Sequence, residues 1–428
     1  MPNKLAIHPG IIEQKLAWAS GLLAAGLPLY LVRFSIGPIP TTLWEMLLYS
    51  TVIIAWVSKI ISLKQWRHDS LRWPWLLIAI GACASLFIND DLRLGLGQWK
   101  ALFLDSLLFY WLLRSIVPKY LSVKHILLAT LIGGSVTGLS AVINVLQSNL
   151  TTDHRALGIF AFDPGASPNY LALYLAPLAS YGLVMVCLPR IWTHRFERIF
   201  VGLLIVVIVA GMVASGSRGA ALALAAGLVV GLLMVSVKTL HHHRQWLLVA
   251  GFISMGLLLS VMISQVTPNF TAVDGGGRLT TSTNIRWLIW QTTVLQILPT
   301  HPIFGVGWGN YQSVFYELTK EQTNFPDLVA PMSLHPHNFW LMTWVTLGII
   351  GLIGWLSLVV RITWRSICTN DLLQPALLAG WLTWFVQGLV DTTYYKNDLA
   401  GLTIILIVAI LGCQVSLPSG QKPSTSFQ

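Results

Sequence analysis

Apolar runs recur along this chain from one end to the other, each about 17 to 25 residues long, which is the length a helix needs to span a bilayer. Because a bilayer core offers no water to backbone polar groups, helices are the structure that such runs adopt there. Only 10% of the residues are charged, against about 25% in soluble domains. The pattern therefore excludes a soluble multi-domain protein and predicts an all-α polytopic membrane protein.

The hydropathy pattern predicts about twelve transmembrane helices. They are expected at 16–32, 39–58, 73–89, 97–116, 124–146, 166–188, 199–215, 219–237, 246–264, 338–360, 374–391 and 399–416. This divides the chain into helices one to nine over 1–264, a large loop over 265–337, helices ten to twelve over 338–417, and a disordered tail over 418–428.

The positive-inside rule orients these spans. If both termini are cytoplasmic, the inner loops carry most of the 26 Lys and Arg residues, so the net charge of +10 reflects topology and not nucleic-acid binding. The large loop then lies outside. A structureless loop of that length is unusual, and the apolar spacing within 284–298 predicts an amphipathic helix at the interface.

The predicted outer face gathers the polar residues that are candidates for function: Lys100, Asn169, Arg218, Arg286, Tyr311, His335, His337 and Asp391. Structural roles remain open for several of them. Arg218 is also consistent with anchoring at the interface. Lys100 lies about one turn inside a span and needs a partner or a water-filled cavity; Asp105 is the nearest carboxylate, although five residues is a poor spacing for a pair within one helix.

Fixed cations beside an imidazole suit a phosphorylated lipid substrate. Arginine binds phosphate oxygens through bidentate hydrogen bonds and keeps its proton. A pyrophosphate leaving group needs charge stabilisation, and a neutral histidine suits removal of a proton from an attacking hydroxyl near pH 7. These residues indicate transfer from a lipid pyrophosphate to a hydroxyl. A metal site is the alternative, with His335 and His337 joined by His301 or an outer carboxylate.

Three local motifs resemble the shared core of the O-antigen ligase and O-antigen polymerase superfamily. The longest runs from Arg286-Trp287 through HPIFGVGWGNY at 301–311 to His337-Asn338, which opens a span continuing into LGIIGLIG. Ser217-Arg218-Gly219 ends an earlier span, and Ser167-Pro168-Asn169-Tyr170 opens another. The resemblance covers about 160–350, and the N-terminal third matches in hydropathy and span count.

The resemblance implies a GT-C-like glycosyltransferase of the bacterial inner membrane with a periplasmic active site. Such ligases take O-antigen glycan from undecaprenyl pyrophosphate and join it to the lipid A–core, without a nucleotide sugar, a cofactor or a required metal. It implies that His337 is catalytic and that Arg218 and Arg286 bind the pyrophosphate. Lys100 and Asp391 are weaker candidates, chosen by side and depth. His335 has no clear counterpart and is expected to be a loop residue or a neighbour of the site.

Other activities remain open at this point. Polymerases of the superfamily join repeat units to one another, and protein O-oligosaccharyltransferases glycosylate Ser or Thr. A transporter for the same lipid would place its polar groups near the bilayer midplane, often in repeated halves. The clustering of polar groups at one face and the lack of a visible repeat argue against a transporter, and the compact length with about twelve spans favours the ligase.

Overall fold

The computed structural model describes residues 10–163, 166–239, 282–321, 335–369 and 371–413. Its α-helices are α1 Ile11–Ala25, α2 Leu43–Val57, α3 Leu63–Arg67, α4 Arg72–Ala84, α5 Leu92–Gln98, α6 Asp105–Ile116, α7 Val123–Leu146, α8 Pro168–Val186, α9 Arg195–Ala214, α10 Arg218–Thr239, α11 Ser282–Thr292, α12 Tyr311–Thr319, α13 Phe339–Cys368, α14 Gln374–Gly388 and α15 Asn397–Gly412.

Shorter helical pieces extend or join these helices. Tight 3₁₀ turns lie at Leu27–Leu31, Ser85–Ile88, Gly158–Phe162 and Pro189–Ile191. A π-helical segment, Trp99–Leu104, joins α5 to α6. A second, Thr293–Ile297, extends α11 into the helical turn Leu298–Thr300.

Each predicted span within the described residues overlaps a helix. Among the described residues, five helices are long and apolar enough to cross a membrane: Val123–Leu146, Pro168–Val186, Arg195–Ala214, Arg218–Ser236 and Phe339–Cys368. The chain is therefore a helical membrane protein, and the count of about twelve spans stays a prediction. The ninth span at 246–264, the loop segments 265–281 and 322–334, and the tail at 418–428 lie outside the described residues.

The start of the second predicted span, at residue 39, is wrong. A β-hairpin occupies this stretch, with β1 Arg33–Ile36 paired antiparallel to β2 Ile39–Thr42. The helix begins only at Leu43 because Thr42 caps it: the Thr42 hydroxyl accepts from the Glu45 N–H at 3.1 Å, and the Glu45 carboxylate accepts from the Thr42 N–H at 3.2 Å. The fold is thus helical with one short hairpin.

Small residues, including Gly351 and Gly354, bring α4 and α13 together. A Cβ on Gly354 would lie 2.8 Å from the backbone nitrogen of Ile78 in α4. Gly348 has a different role, because its φ of +67° kinks α13. The Ile303 carbonyl docks into this kink and accepts from the Ile349 N–H at 3.0 Å, so the glycine-rich 301–309 motif is held against α13.

The ends of several helices meet at one end of the bundle, called here the site face. This is where α8, α10 and α13 begin and α14 ends. α14 packs against α8 and α10, and the Asn338 amide at the start of α13 donates to the Leu389 carbonyl at 2.8 Å. α15 is buried from Asp398 to Leu411, so it forms the core against which these ends are held in register.

Candidate functional site

The segment before α13 is held in one conformation from both sides. Trp290 of α11 donates its indole N–H to the Pro336 carbonyl at 2.7 Å. The Asn338 carboxamide oxygen accepts from the Trp340 and Leu341 N–H groups at 2.9 and 3.0 Å and so caps α13. The Asn that follows the histidine in the sequence motif is therefore a helix cap that fixes where the histidine stands.

His337 has a strained backbone. Its φ of +47° lies in the left-handed region, which few residues other than glycine adopt. Such conformations cost about 1 to 3 kcal/mol and persist where the surrounding contacts impose them. The Trp290 and Asn338 hydrogen bonds on either side supply that restraint. The backbone conformation they impose fixes the direction in which the His337 side chain leaves the chain.

Asp391, which follows α14, binds both the histidine and an arginine. His337 Nδ1 lies 3.3 Å from Asp391 Oδ1, and Arg286 Nη2 lies 3.2 Å from Oδ2. The Thr392 N–H also donates to Oδ1 at 2.9 Å. Asp391 is thus a shared acceptor that sets the positions of the predicted catalytic histidine and one predicted pyrophosphate-binding arginine.

The pKa of Asp391 reflects this arrangement. Burial by itself raises the pKa of a carboxyl. The hydrogen bond to His337 and the charge of Arg286 outweigh burial and hold the pKa of Asp391 well below its usual range. The carboxylate is therefore ionised near neutral pH.

His335 is buried and ordered by contacts on two sides. Its Nε2 lies 2.8 Å from the Tyr170 hydroxyl at the start of α8, and its ring lies 4.4 Å from that of His337, centre to centre, in an edge-on arrangement. Burial and the neighbouring His337 lower the pKa of His335 to about 3, so it is a neutral imidazole near pH 7. It contacts the predicted catalytic residue directly.

Asn169 and Arg218 are linked through an arginine that the sequence interpretation did not select. Arg155 donates from Nη2 to Asn169 Oδ1 at 2.6 Å and from Nε to the Ser215 carbonyl at 2.6 Å. Ser215 belongs to the turn before α10, which Arg218 opens. Arg218 itself is exposed, and no described carboxylate pairs with it.

The suggested pairing of Lys100 with Asp105 is wrong. Lys100 instead forms an ion pair with Glu45, whose carboxylate also accepts from the N–H of the N-cap residue Thr42. Asp105 accepts from the Tyr49 hydroxyl at 2.6 Å. Lys100 lies in the π-helical segment Trp99–Leu104, which ends just before Asp105. Lys100 is not brought together with Asp391, Arg286 or His337.

Tyr311 is buried in the hydrophobic cluster between α11 and α12 of the large loop. Its hydroxyl is 2.7 Å from the Thr293 hydroxyl, and its ring packs with Ile289, Ile297 and Phe315 in the hydrophobic cluster of α11 and α12. This tyrosine holds α12 against α11, the helix that carries Arg286.

A second group of charged residues, centred on Asp163, borders the site. The sequence interpretation did not identify it. Asp163 pairs with Arg33 Nη2 at 2.7 Å and with Lys396 Nζ at 2.9 Å. The Lys396 ammonium also lies 4.0 Å from the centre of the Tyr170 ring. Lys396 stands in the polar stretch 391–398, but that stretch by itself does not identify Asp163 as its partner.

His335, His337 and Asp391 each offer one metal-ligand atom, and these atoms lie within 4.8 Å of one another. Their composition fits the metal hypothesis. Arg286 binds the same carboxylate, however, and a guanidinium at that distance opposes a divalent cation. His301, the other ligand considered, bonds the Thr300 hydroxyl at 2.9 Å instead. Asp391 is therefore better suited to binding the His337 imidazole and the Arg286 guanidinium than to binding a metal ion.

Two comparisons with known proteins bear on this site. The O-antigen ligase family model matches residues 203–356, a range that includes Arg218, Arg286 and His337. The chain is also 28% identical over 206 residues to the O-antigen ligase of Salmonella typhimurium strain LT2, covering 44% of this chain and 46% of that relative. The resemblance to the O-antigen ligase family is confirmed. Asp391 and Tyr170, which complete the cluster, lie outside the range that the family model matches.

Proposed function

We propose that this chain, which carries the O-antigen ligase family match, transfers O-antigen glycan from undecaprenyl pyrophosphate to a sugar hydroxyl of lipid A–core. The observation that carries the proposal is the shared carboxylate: Asp391 binds the His337 imidazole and the Arg286 guanidinium at once. That arrangement brings a proton acceptor and a phosphate-binding cation to one point. We place the reaction at the periplasmic face of the inner membrane, with both termini cytoplasmic.

Two arginines act on the donor in this scheme. Arg286 and Arg218 bind the pyrophosphate oxygens and offset the negative charge that grows on them as the glycosidic bond breaks. Arg286 is already positioned by Asp391, so little reorganisation accompanies the reaction. Arg218, at the first turn of α10, also benefits from the positive end of that helix dipole.

His337 acts on the acceptor. When its Nδ1–H donates to Asp391, the basic lone pair is on Nε2, the nitrogen that takes the acceptor proton. The acceptor oxygen bonds to the anomeric carbon, the bond from that carbon to the pyrophosphate oxygen breaks, and the electron pair leaves with the pyrophosphate. The proton moves to His337, and Asp391 stabilises the imidazolium. A single displacement of this kind inverts the anomeric configuration, needs no metal and leaves no covalent enzyme intermediate.

The test is reconstitution of purified protein with lipid-linked glycan and lipid A–core. We expect His337→Ala to reduce transfer by at least about 100-fold, the usual contribution of a general base. His301→Ala is the matched control, since His301 is an exposed histidine of the same large loop. Full transfer by the His337 variant would remove the proposed base.

Three further readouts separate this activity from its alternatives. Transfer to a second lipid-linked glycan, without transfer to lipid A–core, would make the protein a polymerase. A product with retained anomeric configuration would exclude the single displacement. Loss of transfer in strong chelator, restored by a divalent cation, would replace the arginine scheme with a metal site at His335, His337 and Asp391.

A further inference from the structure

A large cavity bordered by the described residues lies beside the site and is not lined by its arginines. It has a volume of about 1000 Å³, at the upper end of the size of ligand pockets. His335 lines it, whereas His337, Asp391 and Arg286 are not among its lining residues. We call it the polar chamber; its walls include Tyr30, Lys100, Asp163, His335, Tyr395 and Lys396. Of the two adjacent histidines, His335 thus lines the polar chamber and His337 does not.

The lining of the polar chamber suits a sugar chain. At one wall the Asp163 carboxylate is shared by Arg33 and Lys396, and the Asp398 carboxyl lies near Lys396 as well, so charged groups of both signs meet there. The rings of Tyr30 and Tyr395 present amphipathic surfaces with a polar tip. Mixed charges, amides and tyrosine rings are the groups that bind the hydroxyls and the apolar faces of a saccharide.

An unsatisfied polar atom lies at the inner end of this chamber. His335 is 8% exposed, and its Nδ1 has no hydrogen-bond partner among the described residues while its Nε2 is bonded to Tyr170. A buried polar nitrogen without a partner is costly. A hydroxyl bound in the chamber would satisfy it, beside the ring of His337.

We propose that the polar chamber is the acceptor site: it binds the acceptor oligosaccharide, and His335 Nδ1 hydrogen-bonds one of its hydroxyls beside His337. This inference rests on the proposed function, because it assigns a cavity that the pyrophosphate-binding arginines do not line to the second substrate. Donor and acceptor then have separate binding places, as an in-line displacement at the anomeric carbon requires.

Gly97 of α5 offers a way to fill the chamber without disturbing the fold. It lines the chamber, and a Cβ added there would meet no atom within 4 Å. Gly202 of α9 is a matched control, because a Cβ there also meets nothing within 4 Å and it does not line the chamber. The series Gly97→Ala, Gly97→Leu and Gly97→Trp therefore adds increasing volume at one place.

The experiment measures the KM for lipid A–core and, separately, the binding of undecaprenyl pyrophosphate to each variant. We expect Gly97→Trp to raise the acceptor KM by at least about tenfold, with Gly97→Leu intermediate and donor-lipid binding unchanged throughout the series. Gly202→Trp should leave both quantities at the wild-type value. His335→Phe, which keeps a ring but removes Nδ1, should raise the acceptor KM and leave donor-lipid binding alone.

The results that overturn the proposal are distinct from failure of the proposed function. If wild-type protein transfers glycan but donor-lipid binding weakens in order of side-chain volume at position 97, the chamber belongs to the donor. If neither quantity follows that order, the chamber is not a substrate site. If wild-type protein transfers glycan to no hydroxyl acceptor, the ligase activity itself is wrong, whatever the variants do.

Discussion

Arg286 and Arg218 have the same predicted role but opposite surroundings. Arg286 is paired with the buried Asp391 before any substrate binds, and its side chain is 23% exposed. Arg218 is exposed at the start of α10, and no described carboxylate pairs with it. The turn that carries it is held by Arg155. One cation is therefore positioned in advance, while the other is exposed and has no carboxylate partner among the described residues.

The difference predicts a division of labour. A pre-positioned cation stabilises charge in the transition state without reorganising, so Arg286 is expected to act mainly on kcat. An exposed cation gains its contacts when the pyrophosphate binds and loses side-chain entropy at that point. Arg218 is therefore expected to act mainly on donor affinity.

We expect the largest loss of activity on substitution of Asp391, the carboxylate that pairs with Arg286. Asp391→Asn keeps the shape but removes the charge that holds Arg286 and orients His337. We expect kcat for glycan transfer to fall by about 10³-fold or more, as for loss of the orienting carboxylate in a catalytic triad. The control is Glu317→Gln, an exposed carboxylate of α12. An Asp391→Asn variant with kcat within about threefold of wild type would contradict the shared role.

Lysine substitutions test the two arginines directly. Lysine keeps the charge but loses the planar fork. Arg286→Lys should lower kcat by about 100-fold, whereas Arg218→Lys should raise the donor KM by about tenfold with kcat little changed. Steady-state kinetics with varied lipid-linked glycan measures both. If the two results are exchanged, the proposed division is wrong.

Arg155 tests whether the Arg218 turn is held from behind. Arg155→Ala removes the hydrogen bonds to Ser215 and Asn169, so the first turn of α10 should loosen. We expect the donor KM to rise by about three- to tenfold, and Arg155→Lys to rescue it poorly because one ammonium cannot reach both acceptors. Asp153→Asn is the control, since Asp153 pairs with Arg155 but is 58% exposed. An unchanged donor KM with lowered thermal stability would make Arg155 purely structural.

The smallest expected effect is on stability and concerns His335, which lines the polar chamber and packs against the ring of His337. Its pKa is lowered from an unfolded value of about 6.5 to about 3, so the unfolded chain binds the proton more readily. Stability contributed by this residue is present above pH 6.5 and is lost as the pH falls, by about 1.4 kcal/mol per pH unit below that value. Thermal unfolding in detergent should therefore show a steeper loss of Tm between pH 7 and pH 5 in wild type than in His335→Gln. Equal slopes would mean that His335 is not buried as a neutral ring.

The sequence alone determined the helical membrane architecture and predicted which residues carry the site. A membrane helix satisfies its own backbone within about 20 residues, so most described helices follow the predicted spans closely. The exception is the hairpin before α2, where the Thr42 and Glu45 cap delays the helix. His337, Arg218 and Arg286 were also identifiable, because each stands in a short local motif.

Only the tertiary structure decided which groups pair. Arg286 and Asp391 are 105 positions apart, Tyr170 and His335 are 165 apart, and Lys100 meets Glu45 across 55 positions instead of the nearby Asp105. A hydropathy pattern specifies the side and depth of a residue in a membrane, but not how each helix is rotated or which neighbour it faces. Those choices follow from packing between helices distant in sequence, and they separate the positioned Arg286 from the exposed Arg218.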